Sequence, residues 1–164
     1  MILSTAACKL TRSALRKSGR GGTAIPGIVG LRLSPGVLTA VSRGMKIIVV
    51  TGTNGKTTTK EFLCAVLGQR FKSYKTEANY NSTVGMPLAA LGVTFAHEAA
   101  VFEMGMGDFG EISLLSQTVR PQIAVITKIG SSHLQKLGTR QGIARAKLEI
   151  LDGLQSGGVL ICDG

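Results

Sequence analysis

The run Lys46-Ile47-Ile48-Val49-Val50, followed directly by Thr51-Gly52-Thr53-Asn54-Gly55-Lys56-Thr57-Thr58, constrains the fold of this chain more than any other feature. Consecutive β-branched residues favour a strand buried on both faces, and such a strand belongs in a parallel sheet covered by helices. Gly52 and Gly55 let the backbone curl without Cβ clashes, and residues 57–69 carry a helical pattern. A strand that passes through a glycine turn into a helix leaves unpaired N–H groups at the helix start. They lie at the positive end of the helix dipole, where phosphate oxygens bind. Lys56 is then placed to reach β- and γ-phosphates, and the Thr57 hydroxyl to hold Mg²⁺. Val50 stands where the GxxxxGK[ST] pattern has its first glycine, so the loop is a shorter GxxGKT form. Residues 51–58 (Thr51, Gly52, Thr53, Asn54, Gly55, Lys56, Thr57 and Thr58) are the first nucleotide-binding candidates.

The rest of the chain extends this pattern. Further strands are expected at 72–76, 99–104, 123–127 and 158–162, with helical segments near 84–91, 110–119 and 140–151. Alternation of mostly continuous apolar strands with helices predicts an α/β, three-layer phosphate-loop domain with a mostly parallel sheet over residues 45–164. The 22 glycines in 164 residues suit many tight turns. Aromatic residues make up 4% and Trp is absent, which argues against a stacking platform for single-stranded nucleic acid. No apolar run is long enough for a transmembrane helix.

The net charge of +10 arises wholly in residues 1–60, which hold ten Lys/Arg and no Asp/Glu; the remaining residues balance. The basic character therefore describes an N-terminal arm and linker, residues 1–44, and is weak evidence for nucleic acid. Residues 1–20 have Ile2, Leu3, Ala6, Leu10, Ala14 and Leu15 at roughly helical spacing among basic residues. A solvated arm, a helix drawn to an anionic membrane surface and an organellar transit peptide all fit this composition. Cys8, Cys64 and Cys162 form no CxxC pair and are odd in number, as expected of reduced thiols in the cytoplasm.

Ligands of an open parallel sheet bind beyond the carboxyl ends of its strands. Glu103, at the end of the strand expected at 99–104, is a natural second oxygen ligand for Mg²⁺ beside the phosphate loop, or else caps a loop. His133 follows the strand expected at 123–127; it is a metal ligand, a donor to phosphate or an incidental loop residue. Asn79 and Asn81 precede the helix near 84–91, where an asparagine also serves as a turn or cap residue. Lys147, taken alone, is a solvated helix lysine.

Taken together, VTGTNGKTTTKEFL (50–63), NYNSTVGMPLAAL (79–91), EMGMGDFGEI (103–112) and the segment 120–151 resemble the central ATP-binding domain of the Mur ligases. The resemblance spans about residues 46–163 and is most similar to the members that add D-alanyl-D-alanine to a UDP-N-acetylmuramoyl tripeptide. It implies that ATP phosphorylates the carboxylate of the nucleotide-linked peptide and that the dipeptide amine attacks the acyl phosphate. Lys56 would bind phosphate, Thr57 and Glu103 the first Mg²⁺, and His133 a second. The lysine matching Lys147 is often carbamylated in relatives and supports the second metal; Asn81, accompanied by Asn79, would lie near the γ-phosphate. Lys56, His133 and Lys147 are thus the implied catalytic set.

Departures accompany the likeness. Lys128 replaces a common asparagine, and Gln135 and Lys136 stand where an acidic residue often follows the histidine. Residues 21–44 look more like the stretch before the phosphate loop of a Mur-type subunit that amidates lipid II, which gives the alternative reading. Family ligases also carry a uridine-nucleotide-binding domain and a C-terminal domain that selects the amine. Neither fits beside residues 46–163, so the expectation is a fragment that binds ATP weakly without turnover. A non-catalytic module held at a membrane by its basic arm is the reading from another class.

Overall fold

The computed structural model describes residues 44–77 and 80–163. The readings made for the arm and linker, for Cys8 and for Asn79 fall outside these residues. Among the described residues five strands and five helices follow one another: β1 (Lys46–Thr51), α1 (Lys56–Leu67), β2 (Ser73–Lys75), α2 (Gly85–Ala90), β3 (Ala99–Glu103), α3 (Glu111–Val119), β4 (Ile123–Ile126), α4 (Leu134–Leu137), α5 (Arg140–Leu148) and β5 (Val159–Cys162). A 3₁₀ turn over Glu149–Gly153 ends α5, where the sequence pattern predicts helix as far as 151. The four-residue α4 is absent from the sequence reading; it is too short for a periodic signal.

The sheet order is β2-β3-β1-β4-β5 and every neighbouring pair is parallel. The central position of β1 explains its composition. Ile47, Ile48, Val49, Val50 and Thr51 are all buried, because helices cover both faces. On one face Leu63, Cys64 and Leu67 of α1 pack on Ile48, Val50 and Val101, with Ile123 and Val125 at the margin. The opposite face holds the larger core, where Ile47, Val49, Ala100 and Phe102 meet Met86 of α2, Ile112 and Leu115 of α3, and Ile143 and Ala146 of α5. Burying one such aliphatic side chain contributes about 1.5–3 kcal/mol, so the sheet is anchored from both sides.

The order of the strands sets the place of the site. From β1 the chain moves to β2, returns to β3, and then crosses to β4 on the other side of β1. The carboxyl ends of β3, β1 and β4 therefore flank the point where the winding direction reverses, and a crevice opens there. No helix among the described residues is long and apolar enough to cross a membrane. Cys64 and Cys162 are free thiols.

Candidate nucleotide and metal site

The glycine loop leaves β1 clamped between the ends of its two neighbours. Thr51 is fully buried, and its hydroxyl donates to the Met104 carbonyl at 2.9 Å. Its role is to tie β1 to β3 beneath the loop. On the other side the Thr127 amide donates to Thr51 O at 2.9 Å and the Thr53 amide to Lys128 O at 2.8 Å. The Thr127 hydroxyl donates to the carbonyls of Thr51 and Asn54, and the Gly130 amide to Thr53 Oγ1. Such close approach explains Gly52. A Cβ there would stand 2.0 Å from Thr127 Oγ1, on a backbone with φ +153°. Gly55 has φ +82° and forms the left-handed N-cap of α1, a conformation that costs a residue with a Cβ about 1 kcal/mol or more.

The loop opens into a cleft of about 350 Å³. Gly52, Thr53 and Lys56 form one wall; Asn81 and Ser82 a second; Gly105, Met106, Gly107 and Glu111 a third. Ser132, His133 and Lys147 close the side beyond β4. Of the residues singled out from sequence, Gly52, Thr53, Lys56, Asn81, His133 and Lys147 thus meet around one cavity. Asn54, Gly55, Thr57 and Thr58 are exposed on the same loop and helix start. Lys56 arches over the loop and donates from Nζ to Gly52 O at 2.9 Å and to Thr53 O at 3.4 Å.

Glu103 is the acidic centre of the site and is 2% exposed. Its Oε2 accepts the Thr57 hydroxyl at 3.0 Å, and its Oε1 accepts Asn81 Nδ2 at 2.9 Å. Its amide donates to the Thr76 hydroxyl at 3.0 Å. Lys60, one helical turn beyond Thr57, brings its ammonium to 3.5 Å from Glu103 Oε2. Asn81 thereby has a partner that its place before a helix does not reveal. Thr57 and Glu103 present a hydroxyl and a carboxylate at one point beside the phosphate loop. Hard oxygen donors that leave room for phosphate and water are what Mg²⁺ takes, so this pair fits the ion.

Lys147 overturns its isolated reading as a solvated lysine. It is 3% exposed and faces the cleft. Burial, and then the charge of Lys56, pull its pKa down from 10.5 to about 8. His133 is exposed and N-caps α4 with φ +65°, a left-handed backbone that is uncommon for a residue other than glycine. Lys128 is exposed, with its carbonyl engaged by Thr53.

Three residues that shape the site, Glu111, Glu149 and Lys60, are not singled out from the sequence. Glu111 accepts the Gly107 amide at 2.6 Å and so folds the 105–110 loop. Glu149, from the end of α5, accepts the Gly110 amide with both oxygens, at 2.8 and 2.9 Å, and places a carboxylate on the α3 N-terminus. Lys60 had one available clue: its i+3 spacing from Thr57 puts both on the helix face turned to Glu103.

Comparison with known proteins gives the family of this fold. The sequence model of the Mur ligase middle domain matches residues 50–163. The chain belongs to the Mur ligase middle domain family. Within that family it is 54% identical over 121 residues to the UDP-N-acetylmuramoyl-tripeptide--D-alanyl-D-alanine ligase of Bacillus subtilis, a match covering 74% of this chain and 26% of that enzyme. The chain thus spans about a quarter of the length of this curated relative. A crystal structure of MurF from Acinetobacter baumannii superposes with a TM-score of 0.73 at 39% identity, over 80% of this chain and 30% of that one. The MurF ligase of Thermotoga maritima in complex with ADP gives a TM-score of 0.73 at 30% identity, over 81% and 32% of the two chains.

Proposed function

We propose that residues 45–164 are one nucleotide-binding domain that supplies the ATP site of a peptide ligase acting on peptidoglycan precursors. In this reading the γ-phosphoryl group passes from ATP to the terminal carboxylate of a UDP-N-acetylmuramoyl tripeptide, and ADP departs. The amine of D-alanyl-D-alanine then attacks the acyl carbon, phosphate leaves, and the peptide bond is made. The observation that carries the proposal is the Thr57–Glu103 contact, which lies beside the glycine loop and is joined through Asn81 to the cleft that Lys56 and Lys147 line.

Phosphoryl transfer needs positioning and neutralisation of oxygen charge more than covalent help. The loop amides and Lys56 would hold the β- and γ-phosphates, and Asn81 orients the Glu103 carboxylate by donating to its Oε1. Thr57 and Glu103 would hold one Mg²⁺, with His133 and Lys147 at a second position across the cleft. Bound there, Mg²⁺ supplies charge neutralisation and Lewis acidity. With its pKa near 8, Lys147 keeps an appreciable share of neutral amine at physiological pH. That amine adds to CO₂, forming the N–C bond and releasing one proton, and the resulting carbamate is an anion suited to a metal site.

Calorimetric titration with MgATP tests the nucleotide site. Binding is expected in the chain as it stands, and Lys56→Ala should weaken it at least about tenfold. Ligation is tested by grafting residues 46–163 into the B. subtilis ligase in place of the matching segment. Phosphate release that requires both UDP-N-acetylmuramoyl tripeptide and D-alanyl-D-alanine is the expected result. A folded chimera that binds ATP yet releases phosphate only with ammonia would favour the amidating alternative. We place the reaction in the cytoplasm, where ATP is supplied. Residues 1–20 are a proposed peripheral contact for anionic lipid, read by vesicle co-sedimentation that depends on them.

A further inference from the structure

We infer that Lys60 is the resident counter-ion of the metal site: it neutralises the buried Glu103 carboxylate when Mg²⁺ is away and weakens Mg²⁺ binding when it is present. This rests on the proposed nucleotide site and adds to it a positioning residue that no phosphate-loop pattern requires.

The observations are geometric. Glu103 is 2% exposed and Lys60 1% exposed, with 3.5 Å between Nζ and Oε2. A carboxylate so buried is costly unless a cation and hydrogen bonds offset the loss of water. Thr57 and Asn81 supply neutral donors, and Lys60 supplies positive charge. The two helix residues approach from different depths. Thr57 is exposed at the loop, whereas Lys60 lies three residues further along α1. An incoming cation therefore reaches the carboxylate from the Thr57 side, while the ammonium stays behind it. Lys60 is also 3.5 Å from Glu61 Oε1, and Glu61 in turn pairs with Lys75 at the surface, so its position is held from both ends.

Two like charges sharing one carboxylate repel each other. The ammonium therefore lowers metal affinity, and in return keeps the empty site folded. The test compares the wild type with Lys60→Met. ADP affinity is measured by calorimetry in EDTA and in Mg²⁺, and thermal unfolding is followed in EDTA. Removal of the ammonium is expected to lower the unfolding temperature in EDTA and to raise the Mg²⁺-induced gain in ADP affinity about tenfold over wild type. Lys60→Arg, which keeps the charge, should restore the wild-type gain. A folded Lys60→Met protein with an unchanged or smaller Mg²⁺ gain overturns the inference while leaving the nucleotide site intact. No Mg²⁺ gain in the wild type overturns both. If Lys60→Met does not fold, Lys60→Met/Glu103→Gln decides the matter: the double variant should be more stable than the single one, because the orphaned charge is gone. Additive losses would refute the counter-ion role.

Discussion

The pKa of Lys147 gives a prediction whose size follows from the structure. In the folded chain it is lowered from 10.5 to about 8, chiefly by burial. Well below pH 8 both folded and unfolded chains carry the proton, and the folded state bears the full cost of a buried charge, up to about 3 kcal/mol. Between pH 8 and 10.5 the unfolded chain binds more protons than the folded one, so stability rises with pH. From pH 7.5 to 9.5 the gain from this one group is about 2 kcal/mol. Lys147→Met keeps the side-chain volume and removes the charge. It should be more stable than the wild type at pH 7.5, and the difference should shrink by about 2 kcal/mol at pH 9.5. Urea unfolding at the two pH values, in CO₂-free buffer to exclude carbamate, measures this. Other titrating groups are common to both proteins and cancel. Curves that stay parallel to within about 0.5 kcal/mol would refute a buried cation at this position.

Two further substitutions test the frame of the site. Gly52→Ala should lower stability by more than about 2 kcal/mol and abolish nucleotide binding, because the added methyl meets a Thr127 hydroxyl already held by Thr51 and Asn54. Wild-type binding by this variant would mean that the loop is not clamped as described. Glu149→Gln should cost about 1 kcal/mol in chemical denaturation through loss of the charged cap on α3, with less effect at high salt. Equal cost at low and high salt would assign the loss to packing.

The sequence alone determined the parts of this protein that depend on near neighbours. Gly52, Gly55 and Lys56 act within one turn of backbone, and their spacing after a β-branched run is enough to announce a phosphate loop. The strands and most helices appear where their patterns predict them, to within a few residues, since two-sided burial leaves a continuous apolar run in each central strand. The places of Glu103 and His133 were legible for the same reason: Glu103 ends β3 and His133 lies in the loop beyond β4, on the side of the sheet where ligands of an open parallel sheet bind.

Tertiary structure decided the rest. By local pattern Lys60, Asn81, Lys147 and Glu149 look like ordinary surface or turn residues, because such a pattern carries charge and periodicity but not depth; the family resemblance singled out Asn81 and Lys147 without their burial or partners. The ion pair of Lys60 with Glu103 and the donation of Asn81 to the same carboxylate join segments far apart in the chain. The cap that Glu149 places on Gly110 is equally non-local. Burial and partner charge, which change what a lysine or a carboxylate does, exist only once α1, β3 and α5 have packed around one crevice.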